Sequence, residues 1–235
     1  MGMFLAMTCV VGRSKDQVVN SLRNYTQSVG GGLEKADISL DDDHCCIIQE
    51  QNGNTSVYNA DGHLAWDDSS RFISAELNAP VFSFHIHDGD LWMYIMFVNG
   101  EPVDQFNPVP DYWEEHISEE EIESWKGSAE TISQHVKYIK KQDIENYLVR
   151  WDLDAEEGVK AYPNDEFGQE DWQLLDFMKK LGFPYPIDDD WKPIGDTYRF
   201  WTNELPLKTE SAKVPNGKLK AGTTDLKKPW WKFWE

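Results

Sequence analysis

At 235 residues the chain suits one large domain or one and a half, and 40% hydrophobic with 27% charged residues is a globular composition. A net charge of −20 excludes binding to a phosphate backbone through the general field, which Lys and Arg must supply, and favours a basic protein partner met by fast, salt-sensitive association. Three cysteines, Cys9, Cys45 and Cys46, make no disulfide framework and point to a reducing compartment; no apolar run approaches the ~18 residues of a membrane span, so a cytoplasmic location is expected.

The chain opens on an apolar stretch that precedes its first basic residue, Arg13. It reads as a strand over 4–11 and not as a signal peptide. Ser14 and Gln17 have the S-x-x-Q spacing of a capping box. They predict a helix to about Ser28 with Val18, Val19, Leu22 and Tyr25 on one side. Gly30, Gly31 and Gly32 stop it; no Lys-Ser/Thr follows, so this is a hinge and not a phosphate loop. Strands over 44–50 and 55–59 flank an Asn52-Gly53 turn. A helix capped by Asp67 or Asp68 runs to about Asn78 with Phe72, Ile73 and Leu77 inward, and Pro80 ends it.

Residues 81–107 read as a β-meander broken at Asp88-Gly89-Asp90 and at Asn99-Gly100, where positive φ is accepted. Phe82, Phe84 and Ile86 point to one face; Ser83, His85 and His87 point to the other. The run 91–98 is apolar on both faces and predicts cover on each. Pro102 opens a shorter third strand over 103–106. The order β-α-β-β-α-β-β-β predicts an α+β protein with an antiparallel sheet, compatible with a ferredoxin-like split βαβ unit extended by the meander. Such a fold licenses no function by itself.

From Pro108 the pattern turns helical. Ser118 caps an acidic helix whose first turn holds Glu119, Glu120 and Glu121, where carboxylates complement the helix dipole. Helical pieces follow over 128–138 and 142–151, the second with Ile144, Leu148 and Trp151 at helical spacing. A helix opening at 169–171 carries Trp172, Leu175 and Met178, with Leu174, Phe177 and Leu181 beside them; Gly182 closes it. Pro184 and Pro186 then hold the chain extended over the core. The expected division is a sheet domain over 1–107, a helical part over 108–204 packed on it, and a flexible basic tail over 205–235. Within 207–235 lie seven Lys and three acids, a net of +4, so the remaining body carries −24. The tail ends in KKPWWKFWE. Trp230, Trp231, Phe233 and Trp234 suit docking on a partner, where Trp anchors act as hot spots. Folding back on the acidic body is the plainer reading, and membrane contact through so short a motif would be weak.

Candidate chemistry is sparse. His85 and His87 share a strand face and, with Asp90, could hold a divalent metal, with His63 or His116 recruited to complete a hydrolase. The plainer reading is a polar strand face. The His-x-His pattern of cupin barrels is broken, because Asp90 and Leu91 stand where a Glu belongs. Cys45-Cys46 beside His44 is the nearest candidate nucleophile, yet a reactive thiol needs an electropositive setting; one buried and one outward-facing Cys is expected instead. No G-x-S-x-G, Walker A or Rossmann pattern occurs, so no catalytic residue and no cofactor is assigned.

The segment HIHDGDLWMYIMFVNGEPVDQFNPVPDYW resembles a family of uncharacterised bacterial proteins with an acidic turn, an aromatic strand, NG-E-x-V-D-x-F-N-P and then P-D-Y. The resemblance covers roughly residues 80–150 and implies no activity, so no site residue is carried over. In general character the chain is also similar to bacterial immunity proteins. The function expected is that of a non-enzymatic acidic interaction protein, immunity-like, antitoxin-like or an adaptor. It would bind a basic protein through the acidic stretch 114–123, with Glu119, Glu120, Glu121 and Glu123 steering and the aromatic tail docking. The alternative is a metal-dependent hydrolase using His85 and His87.

Overall fold

The computed structural model describes residues 4–89, 91–113, 117–152 and 171–207. Asp90, residues 114–116 and the stretch from 208 onward, with Trp230, Trp231, Phe233 and Trp234, lie outside the described residues. The elements in chain order are β1 (Leu5–Val10), α1 (Lys15–Ser28), β2 (Gly32–Lys35), β3 (Cys45–Gln51), β4 (Asn54–Tyr58) and α2 (Trp66–Leu77). The meander follows as β5 (Val81–His87), β6 (Leu91–Val98) and β7 (Glu101–Phe106). Then come α3 (Glu119–Ser124), α4 (Ala129–His135), α5 (Lys141–Ile144), a 3-10 turn (Glu145–Tyr147), α6 (Asp171–Lys180) and β8 (Asp196–Trp201).

All eight strands form one antiparallel sheet in the order β2-β8-β3-β4-β1-β5-β6-β7. The run β3-β4-β1-β5, with α1 following β1 and α2 following β4, is the split βαβ arrangement. The meander widens it on one side, as the sequence predicts. Three hairpins are set by their turn residues: Asn52 and Gly53, Asp88 and Gly89, and Asn99 and Gly100 all have positive φ, between 52° and 81°. The capping box of α1 forms as read, with Gln17 N–H donating to Ser14 and the Ser14 N–H donating to Gln17 Oε1 at 3.0 Å.

Both faces of the sheet are covered. Val18, Leu22 and Tyr25 of α1 and Ile73 of α2 pack on Val10, Ile48, Val57, Val81 and Phe200. On the opposite face α4, α5 and α6 cover Phe82, Phe84, Trp92, Tyr94 and Phe106. Phe84 is fully buried, with Tyr94, Phe177 and Phe183 set edge-on around it at 6.0, 6.2 and 6.3 Å. Rings so arranged add about 0.5–1.5 kcal/mol per pair to their area burial.

Five features depart from the sequence reading. Strands β2 and β8 have no sequence prediction, and β8 returns from the helical half to sit between β2 and β3. The part beyond 107 thus adds a strand to the sheet as well as the helices packed on it. The glycine run is a close-packing device as well as a stop: a Cβ at Gly31 would lie 1.9 Å from the Trp201 carbonyl oxygen, and one at Gly32 2.3 Å from the Trp201 ring. Helix α2 has Ala65 at its N-cap and no side-chain cap; Asp67 instead accepts from Ser83 of the sheet beneath it. The helix expected over 142–151 is cut to one turn of α5 and a 3-10 turn; this brings Tyr147 to 5.3 Å from Phe177 and lets its hydroxyl donate to Asp176. In α6 Trp172 is 52% exposed. Gln173 takes the inward place and accepts a 3.0 Å hydrogen bond from Trp92 Nε1. Gly182 (φ 74°) does close α6, with its N–H on Lys179 O and the Phe183 N–H on Met178 O.

Candidate functional site

The period-2 geometry of β5 puts Ser83, His85 and His87 on the face beneath α2, as expected. What the sequence does not show is the layer above them. His85 is buried and stacks on Trp66 of α2, with centroids 4.7 Å apart and planes 13° apart. His87 meets Phe4 and Trp113 edge-on, each at 5.0 Å, and its Nε2 accepts from Trp113 Nε1 at 3.4 Å. The two imidazoles are 5.9 Å apart. The result is a continuous aromatic row, Trp66–His85–His87–Trp113, along one end of the sheet.

Beside the row opens a cleft of about 230 Å³, lined among others by Tyr58, Asn59, Asp61, His63, Trp66 and His85. His63 is 3% exposed, with its ring 4.6 Å from Phe200, and its Nε2 has no hydrogen-bond partner. Desolvation pushes His63 down to about 4 and, with the neighbouring His87 adding to it, His85 down to about 3. Both are neutral imidazoles at pH 7. Under α2 a buried polar chain continues the site: Thr8 Oγ1 and Ser70 Oγ lie 2.7 Å apart, Asn59 Nδ2 donates to Thr8 at 3.1 Å, and Ser83 Oγ donates to Asp67. Burial pushes the Asp67 carboxyl up to about 6, against the pull of the Ser83 hydrogen bond.

Neutral imidazoles are the form that binds a metal. Among the described residues, however, no group of three His, Cys, Asp or Glu side chains is placed to hold one. Of the predicted ligand set, His85 and His87 share a face as expected, each engaged with an indole, while Asp90 lies outside the described residues. The cysteines are a correction. Cys45 and Cys46 are both buried, at 1% and 0%, because Ile38 and Ile187 cover one face of β3 and the α1 layer covers the other. Burial pushes Cys45 to about 11 and Cys9 to about 12, and raises Cys46 as well. None is a thiolate at neutral pH.

The acidic residues are displayed. Helix α3 has no buried residue. Its cap forms as read, with Ser118 Oγ accepting from the Glu121 N–H at 3.2 Å. Glu119, Glu120, Glu121 and Glu123 are all exposed, and Glu123 pairs with Lys126. The helix is tethered to edge strand β7 by Gln105 Nε2 on Ser124 Oγ at 3.2 Å and by the Asn107 N–H on Trp125 O at 2.9 Å.

A second acidic surface lies at the other side of the sheet. The loop before β3 and the turn before β8 enclose a groove of about 720 Å³ lined by Asp37, Asp41, Trp191 and Lys192 among others. Trp191 is 57% exposed and has φ +58°, a conformation costing a non-glycine residue about 1–2 kcal/mol. Asp188 holds it there: its Oδ1 accepts from the N–H groups of Asp190 at 3.0 Å and Lys192 at 2.8 Å. Asp188 is thus a turn-building residue.

Compared with known protein families, curated proteins and solved structures, the chain matches none. Among the described residues, no helix is long and apolar enough to cross a membrane.

Proposed function

We propose that this is a non-enzymatic interaction protein whose acidic surface receives a basic protein, in the manner of an immunity protein, antitoxin or adaptor. The observation that supports the reading best is α3: it gives no residue to the core and exposes four carboxylates beside an edge strand. A helix with no apolar face gains little from tertiary packing. Such an exposed acidic helix suits a steering surface, where clustered charge raises the rate of encounter with an oppositely charged protein. The body charge of −24 acts in the same sense. The tail, with Trp230, Trp231, Phe233 and Trp234, supplies the aromatic anchors that charge alone lacks.

The test is capture from a bacterial extract on the immobilised full chain, eluted by a salt gradient. Beside it runs a full chain with Glu119, Glu120, Glu121 and Glu123 replaced by Gln. The expected result is a basic protein that leaves the variant at clearly lower salt. Identical elution from both baits, or no basic protein on either, overturns the reading.

A further inference from the structure

We infer that the groove at Asp37, Asp41 and Trp191 is the docking site of this chain's own C-terminal motif, residues 227–234, held in cis. The inference rests on the reading of that motif as a docking segment; it does not rest on α3.

The groove has the chemistry of a receptor for a cationic aromatic peptide. Its floor and walls include Asp37, Leu40, Asp41, Trp191, Pro193 and Thr197. Trp191 is 57% exposed, an apolar surface that the described residues leave uncovered. Trp191 is held outward in its left-handed conformation by a turn with defined bonds: its own N–H donates to Asp188 O at 3.0 Å, and the Asp188 N–H donates to Lys192 O at 2.9 Å. Among the described residues lining the groove Lys192 is the one cation, and its ammonium lies 3.2 Å from Asp190. The carboxylates of Asp37, Asp41 and neighbouring Asp189 leave the groove net negative.

The described chain ends against the turn into which the groove's 37–41 loop leads. His44 Nε2 lies 3.2 Å from the Pro206 carbonyl oxygen, and a Cβ on Gly62 would meet the Leu205 side chain at 2.6 Å. His44 is held in turn by Asp42, 3.2 Å from its Nδ1, and Asp41 of the same turn lines the groove. The 28 residues after Leu207 carry seven Lys and three acids. The stretch to Lys227 is rich in Gly, Thr, Ser and Lys, a composition whose r.m.s. reach over 20 residues is about 25 Å. That is long enough to fold back. It is also short enough to present the motif at roughly millimolar effective concentration. Lys227, Lys228 and Lys232 match the carboxylates, and the indoles of 230, 231 and 234 match Trp191 and Pro193. Occupied in this way, the groove makes the tail unavailable to a partner until the partner displaces it, an autoinhibitory contact between two charges of one chain.

The test is zero-length carbodiimide cross-linking of the dilute full chain at low salt, with the monomer band mapped by mass spectrometry. Amide links from Lys227, Lys228 or Lys232 to Asp37, Asp41 or Asp189 are expected. Their yield should fall at least fivefold in Trp191→Ala, and equally in Trp230→Ala/Trp231→Ala, which leaves the body unaltered. It should stay unchanged when the α3 glutamates become glutamine, so loss of partner capture and loss of tail docking are separately visible. Links from these lysines to α3 or other acids in place of the groove, links in the dimer band alone, or a yield indifferent to both Trp variants each overturn the inference. The dimer outcome assigns the groove to a second copy.

Discussion

Acid should unfold this protein along a slope set by two imidazoles. His63 and His85 are buried and held neutral, titrating at about 4 and about 3 in the fold, against about 6.5 in an unfolded chain. Their folded values are depressed, so the stability they contribute is fully present above pH 6.5 and is lost as pH falls, because only the unfolded chain takes up the protons. Each costs about 1.4 kcal/mol per pH unit below 6.5. From pH 6.5 to 4 the pair together removes roughly 7 kcal/mol, within the 5–15 kcal/mol that holds a typical domain. Asp67 acts in the opposite sense. Its folded value is raised to about 6, so its stabilising contribution is full below about 3.9 and lost as pH rises through 6. Over the same acid interval it returns roughly 3 kcal/mol. The net expectation is a loss of about 4 kcal/mol from these three groups. Urea denaturation of the full chain at half-unit pH steps measures it. His63→Gln and His85→Gln should each flatten the slope between pH 6 and 4.5 by about 1.4 kcal/mol per unit, and Asp67→Asn should steepen it. Wild-type slopes in both histidine variants would show that neither imidazole is held neutral in the fold.

Other perturbations have defined costs. Phe84→Ala removes a fully buried ring at the centre of four aromatic neighbours and should lower unfolding free energy by about 3–5 kcal/mol in urea titration. Trp92→Phe keeps an aromatic ring but removes the buried hydrogen bond that the indole N–H donates to the Gln173 carbonyl. A loss of about 1–3 kcal/mol is expected, and Gln173→Leu in the same background should recover much of it. An aromatic disulfide reagent at pH 8 should find no thiol in the native protein and three in denaturant, since all three cysteines are buried with raised pKa; rapid native labelling of Cys45 would show that β3 opens.

The sheet was legible wherever local chemistry decides structure. Asn52-Gly53 and Asn99-Gly100 set hairpins because few other pairs accept two positive φ values in sequence. Alternation along 81–87 sorted His85 from Phe84 because a strand has period 2. The Ser14 and Ser118 caps are likewise local. What stayed hidden depends on distant partners. Gly32–Lys35 and Asp196–Trp201 carry weak patterns, and they become strands through pairing with each other and with β3. Asp67 reads as a helix cap until Ser83 is placed beneath it. Trp172 and Gln173 exchange the expected inside and outside because Trp92 needs an acceptor. The same holds for the site. Sequence places His85 beside His87, but Trp66 and Trp113 come from elements 19 and 26 residues away, measured from His85 and His87. Nothing in the spacing joins the 37–41 loop to Trp191.

If the acidic surface recruits a basic protein, the association rate of the captured protein with the full chain depends on ionic strength. The rate should fall at least tenfold between low and high salt, as for steered encounters, with a shallower fall for the chain whose α3 glutamates are glutamine. A rate independent of salt, or an identical salt dependence in that variant, would contradict it.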